Sequence, residues 1–163
     1  MKNKLFFVFI IVVNVNLFAD IPKDDFVIFN KCNIKTIKLG YELSMIYEMF
    51  PTLQYLGEKK FSNITLKEYQ GTGIIFSISA FAESERNANV RRIEILSTNY
   101  SIKRNITIGS TKEDVVSAYG VPEFFEDNSF YYYNSEDDVM ELKIVFDKKG
   151  LVTSILLAAG TWW

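Results

Sequence analysis

Met140, Leu142, Ile144 and Phe146 alternate with Glu141, Lys143, Val145 and Asp147, the two-residue period of a half-buried strand. Asp147-Lys148-Lys149-Gly150 predicts a hairpin turn, and Leu151 to Leu157 the returning strand. Upstream, Glu123 to Glu126 is a short strand-like stretch. Asp127-Asn128-Ser129 is a turn cluster, Phe130 to Tyr133 is aromatic and β-prone, and Asn134 to Asp138 is a polar loop. The period changes before them. Ser110 and Glu113 have capping-box spacing, Val115, Val116 and Tyr119 share one helical face, and Gly120 and Pro122 stop the helix. A helix of about ten residues is marginal alone, so its apolar face must pack on the sheet.

The same order occurs earlier in the chain. Ile37-Lys38-Leu39-Gly40 precedes Ile106-Thr107-Ile108-Gly109 by 69 positions. Tyr41 to Phe50 takes the place of the helix and Pro51 ends it. Ile64 to Tyr69, Gly73 to Phe81 and Val90 to Leu96 read as strands, with Ala82 to Asn89 a polar connection. One Ile-x-Ile/Leu-Gly match is cheap; the matching order of elements is what makes a repeat. The expected fold class is α+β, with two helix-plus-antiparallel-meander repeats forming one sheet and the helices on one face. The repeats would span 20–101 and 102–163.

Composition narrows the chemistry. The chain has 163 residues, 48% of them apolar, which sets it apart from disordered sequences. Its formal charge of -2 lacks the basic footprint of a nucleic-acid binder, so no nucleic-acid partner is expected. There is no His, which removes Ser-His-Asp and Cys-His catalysis and His-based zinc sites. The single Cys cannot build a thiolate site. Gly71-Thr72-Gly73 lacks the third Gly and the Lys-Ser/Thr of a phosphate loop. No cofactor and no metal are expected. What remains is carboxylate chemistry or none.

The start reads as an export signal. Lys2 and Lys4 form a basic region, Leu5 to Val13 an apolar core, and Leu17-Phe18-Ala19 the small-residue end before Asp20. The core is too short for a membrane-spanning helix, which needs about 20 apolar residues. The expected mature chain begins at Asp20, has no integral membrane span, and is periplasmic or extracellular. Cys32 follows Phe29-Asn30-Lys31, so it does not sit in a lipoprotein signal. A buried apolar role or an intermolecular disulfide remains open to it. Sequons occur at Asn63, Asn99 and Asn105, where the Asn content would produce about one or two by chance, so they carry no information unless the host glycosylates. Trp162-Trp163 ends the chain; packing on the protein's own core, insertion into a partner and a membrane interface are the alternatives.

The run IGSTKEDVVSAYGVPE, from Ile108 to Glu123, resembles the Gly-x-Thr-x-x-x-Val…Gly-x-Pro helix signature of the SmpA/OmlA (BamE) family. It maps onto Gly109, Thr111, Val115, Gly120 and Pro122. The tandem order is similar to that of β-lactamase-inhibitory-protein-like domains. The resemblance implies exported, non-enzymatic modules that bind other proteins. In the first half Phe50-Pro51 stands where Tyr119-Gly120 stands in the second, a departure from the signature.

If helices cover one sheet face, the opposite face is open to a partner. Strand parity assigns Tyr131 and Tyr133, Arg92 and Glu94, and Glu141 and Lys143 to that face, with Ser77 and Ser79 beside them and Tyr69 a further aromatic. Tyr rings with flanking charges suit protein recognition. The expected function is a non-catalytic, exported protein-binding module, in envelope assembly or hydrolase inhibition, with an unidentified protein partner. The alternative is a carboxylate-dependent secreted hydrolase using Glu123 with Glu126, or Asp137 with Asp138.

Overall fold

Asp127 and Asn128 both adopt positive φ, 46° and 60°, the mirror-image turn whose twist suits a two-residue hairpin. They join β8 (Phe124–Glu126) to β9 (Ser129–Asn134). β9 pairs with β10 (Met140–Phe146), and β10 with β11 (Val152–Ala159). At that last turn Asp147 Oδ1 accepts the N–H groups of Lys149 and Leu151 at 2.8 and 2.9 Å.

The structure is a computed structural model and describes residues 21–31, 35–61, 64–79, 88–134 and 140–160. The export signal, Cys32, Asn63, Asp137, Asp138 and Trp162-Trp163 lie outside those residues.

A second run of strands comprises β3 (Gln54–Phe61), β4 (Ile64–Gly71), β5 (Ile74–Ser79) and β6 (Val90–Ile95). β6 pairs with β11, with Ile95 opposite Ile155 and Ile93 opposite Leu157. The result is one eight-stranded antiparallel sheet, ordered β3-β4-β5-β6-β11-β10-β9-β8. A separate three-stranded sheet has β1 (Val27–Asn30) between β2 (Thr36–Lys38) and β7 (Tyr100–Ile102). The helices are α1 (Leu43–Met49) and α2 (Lys112–Tyr119). Among the described residues no helix is long and apolar enough to cross a membrane.

The α+β repeat architecture expected from the sequence is therefore corrected. The described residues are mostly β, with an eight-stranded sheet, a three-stranded sheet and two short α-helices. The helices have only seven and eight residues. Much of the cover over the large sheet comes instead from the small one, whose Ile28, Ile37, Tyr100 and Ile102 join one core with Ile74, Phe76, Ile93, Ile144 and Ile155. Strands of three or four residues are too short to display a period, which is why the pattern passes over β1, β2 and β7. β3 was hidden for another reason: a bulge between Tyr55 and Gly57 and the charged run Glu58-Lys59-Lys60 make it read as a loop.

Helix α2 also starts one residue later than its capping box predicts. Thr111 Oγ1 accepts the Asp114 N–H at 3.1 Å, and Asp114 Oδ2 accepts the Thr111 N–H at 2.9 Å. Ser110 instead accepts the Thr107 N–H at 3.1 Å. Val116 faces outward rather than sharing the buried face, leaving Val115 and Tyr119 as the buried positions. Beyond the helix, Tyr132 donates to the Gly120 carbonyl at 3.0 Å and its ring lies 5.7 Å from that of Tyr119.

Candidate functional site

Sheet register brings the six residues selected by parity to one face. One row crosses five strands as Tyr133, Glu141, Ala158, Arg92 and Ser77, each opposite the next. The adjacent row runs Phe124, Tyr131, Lys143, Leu156, Glu94 and Ile75. Directly opposed side chains in antiparallel strands point to the same face, so the rows form one continuous surface.

The charges on that surface are paired in advance. Arg92 donates to Glu94 at 3.1 Å and to Glu68 at 3.5 Å. Glu94 also accepts from Ser154 at 3.0 Å, and Lys59 comes within 3.7 Å of Glu68. The Lys143 ammonium sits 4.9 Å from the centre of the Tyr131 ring, a cation–π arrangement. Glu141 accepts a hydrogen bond from Tyr133. Burial pushes the Glu141 carboxyl above its ordinary value, against the opposing pull of Lys143, the Tyr133 hydrogen bond and Arg92. Burial and the neighbouring Glu141 carboxylate push the Tyr133 phenol up to about 12.

Exposure differs from the sequence expectation. Tyr131 is 7% exposed and Glu141 9%, so both are seated in the face rather than standing out from it. The rim is Phe124, 51% exposed, with its ring 5.6 Å from that of Tyr131. Phe124, Leu156 and Ile75 were missed by the sequence reading. The three-residue strand that holds Phe124 fixes no parity alone, although its place opposite Tyr131 follows once the Asp127-Asn128 turn is recognised. Tyr69 belongs to the other face: it is buried and makes an edge contact with Tyr47 of α1 at 6.1 Å.

The carboxylates named for the hydrolase alternative sit elsewhere. Glu123 and Glu126 lie at the exposed sheet edge, where Glu123 accepts the Tyr133 N–H at 3.1 Å and Glu126 faces Ser129 across the turn. Among the described residues, no group of three or more His, Cys, Asp or Glu could hold a metal ion. A cavity of about 400 Å³ is bordered by Arg104, Ser110, Asp114 and Ser117, away from both rows.

Comparison of the chain with protein-family models, curated proteins and solved structures finds no match.

Proposed function

We propose that the protein is an exported, non-catalytic protein-binding module whose partner docks on the face carrying Phe124, Tyr131, Tyr133, Arg92, Glu94, Glu141 and Lys143. The observation that supports this most is the gathering of these residues into two adjacent cross-strand rows. Charges held by intramolecular partners lose little side-chain freedom when a partner arrives, so the cost of binding falls. Phe124 supplies exposed apolar area at the rim, and the Arg92, Glu94 and Lys143 heads set orientation. The resemblance of the segment around α2 to exported binding modules points the same way.

The experiment is affinity capture from an envelope extract on immobilised protein, with Phe124→Ser/Lys143→Glu as the control surface. A specific partner should be retained by the wild type, and its affinity should fall on the order of tenfold or more for the variant. Equal retention by both would remove this face from consideration. A purified protein that turns over a glycosidic or peptide substrate, and loses that activity on Glu123→Gln or Glu126→Gln, would establish the hydrolase instead.

A further inference from the structure

The two edges of the eight-stranded sheet differ in chemistry. At one edge, Phe124 and Phe125 of β8 are 51% and 55% exposed on opposite faces, and Val121 just before them is 59% exposed. Exposed Glu123, Glu126 and Asp127 surround these apolar side chains. At the other edge, β3 exposes Tyr55 and Leu56 beside Glu58, Lys59 and Lys60. Among the described residues each edge strand pairs on one side only. An open edge is a template for another strand. Two β8 edges would bring together two clusters of carboxylates, and two β3 edges would bring together two edges with a net excess of lysine. A β8 edge and a β3 edge are complementary.

Strand direction permits that pairing. Every neighbouring pair in the sheet is antiparallel and the strand number is even, so β3 and β8 run in opposite directions. A copy that continues the sheet in its own sense therefore sets its β3 antiparallel to the first copy's β8. Face parity then limits the register. Phe124 and Glu126 share the face of Tyr131 and Lys143, and Lys59, whose ammonium reaches Glu68, lies on that face too. The register that keeps the faces continuous and avoids the bulge places Glu126 opposite Lys59 and Phe125 opposite Lys60, with Glu123 and Asp127 diagonal to Lys60. The bulge between Tyr55 and Gly57 confines regular pairing to the part of β3 from Glu58 onward, a length that matches the short β8.

We propose that copies of this chain associate head to tail through the β8 edge of one and the β3 edge of the next. The interface uses different surfaces on its two sides, so each addition leaves a free edge of each kind and growth is open-ended. Sheet twist of about 20–25° per strand turns each added copy by roughly half a revolution, which prevents closure into a small ring. This association uses the sheet edges and does not depend on a partner at the face.

Sedimentation of the purified protein over a range of concentrations tests it. The average mass should rise without a plateau at the dimer, and the rise should weaken in high salt because the pairs are solvent-exposed. Glu123→Lys/Glu126→Lys and Lys59→Glu/Lys60→Glu should each weaken association by about tenfold. An equimolar mixture of the two should restore it, since each supplies the edge that the other now requires. Phe125→Ser, on the face away from the proposed docking surface, should weaken it independently of charge. Circular dichroism and thermal midpoints near the wild type establish that the variants are folded. A wild type that stays monomeric at high concentration, a mass that stops at the dimer, or a mixture of folded charge variants that fails to associate would each overturn the proposal.

Discussion

Glu141 is the least comfortable residue of the described sheet face. Burial raises its carboxyl above the ordinary value of 4.5, so the favourable contacts with Lys143, Tyr133 and Arg92 do not offset the loss of solvation. The native state then holds a proton more tightly than the unfolded chain, and stability falls as pH rises from 4.5 through the raised value. Glu141→Gln keeps the shape and an acceptor for Tyr133. Its melting temperature should exceed the wild type's at neutral pH, and the difference should shrink as pH falls below the ordinary carboxylate value. A lower melting temperature at pH 7 than wild type would contradict the assigned cause. Asp25 is buried beside Lys103 at 3.0 Å and Arg104 at 2.6 Å. Arg104 also donates to the Ala118 carbonyl at 2.5 Å and lies over the Tyr119 ring, while Tyr119 donates to the Lys103 carbonyl. Asp25→Ala removes the carboxylate at the centre of these contacts. Because the two cations are partly solvated, the expected loss is about 2 kcal/mol by denaturant titration rather than the larger value of a fully buried pair.

At the scale of elements, two local devices set the boundaries. Thr111 and Asp114 satisfy each other's backbone N–H groups at the start of α2, so Thr111→Ala should cost about 1 kcal/mol, measurable in the same titration. The Thr72-Gly73 turn is less forgiving. Gly73 has φ +71°, and an added Cβ would lie 2.2 Å from the Ser97 Cβ. Gly73→Ala should cost more than about 2 kcal/mol, combining a strained backbone with a contact that the β4–β5 turn cannot relieve. Much of this was legible in the sequence. Period-two alternation from Met140 to Phe146 located β10, and the Gly120-Pro122 stop located the end of α2. Parity gathered the residues of the proposed docking face because it needs only a strand and a known inward set. Exposure was not legible: Tyr131 and Glu141 lie on the face but are buried, and alternation gives direction, not depth. The three-stranded sheet was lost because Val27–Asn30, Thr36–Lys38 and Tyr100–Ile102 have only three or four residues, too few for an alternation to stand out. The pairing of β7 with β1 joins residues some 70 positions apart, which no local pattern records.

Across the whole molecule, those long-range pairings bind the two halves of the chain. β11 has β6 as its outer neighbour, and the contact aligns Ile155 with Ile95 and Leu157 with Ile93, all buried. In the small sheet β7 pairs with β1, Ile102 opposite Ile28. Asp25 reaches Lys103 and Arg104 across 78 and 79 positions of sequence, and Asn134 donates to the Ile21 carbonyl at 2.6 Å. A fragment from Ile102 to Trp163 would retain β8 to β11 and α2, yet it would uncover the β6-facing edge of β11 and remove the small sheet from the core. A chain of about 60 residues buries only about 60% of its unfolded surface even when its core is complete, and here much of the apolar cover would be missing. The fragment should therefore show no cooperative thermal transition and should exchange its amide hydrogens far faster than the same residues in the full chain. Adding the fragment from Asp20 to Ser101 in trans should restore both properties, since it carries β6, β1 and Asp25. Cooperative melting of the Ile102–Trp163 fragment alone would show that the core on its side of the sheet is sufficient without the β6 and β1 contacts.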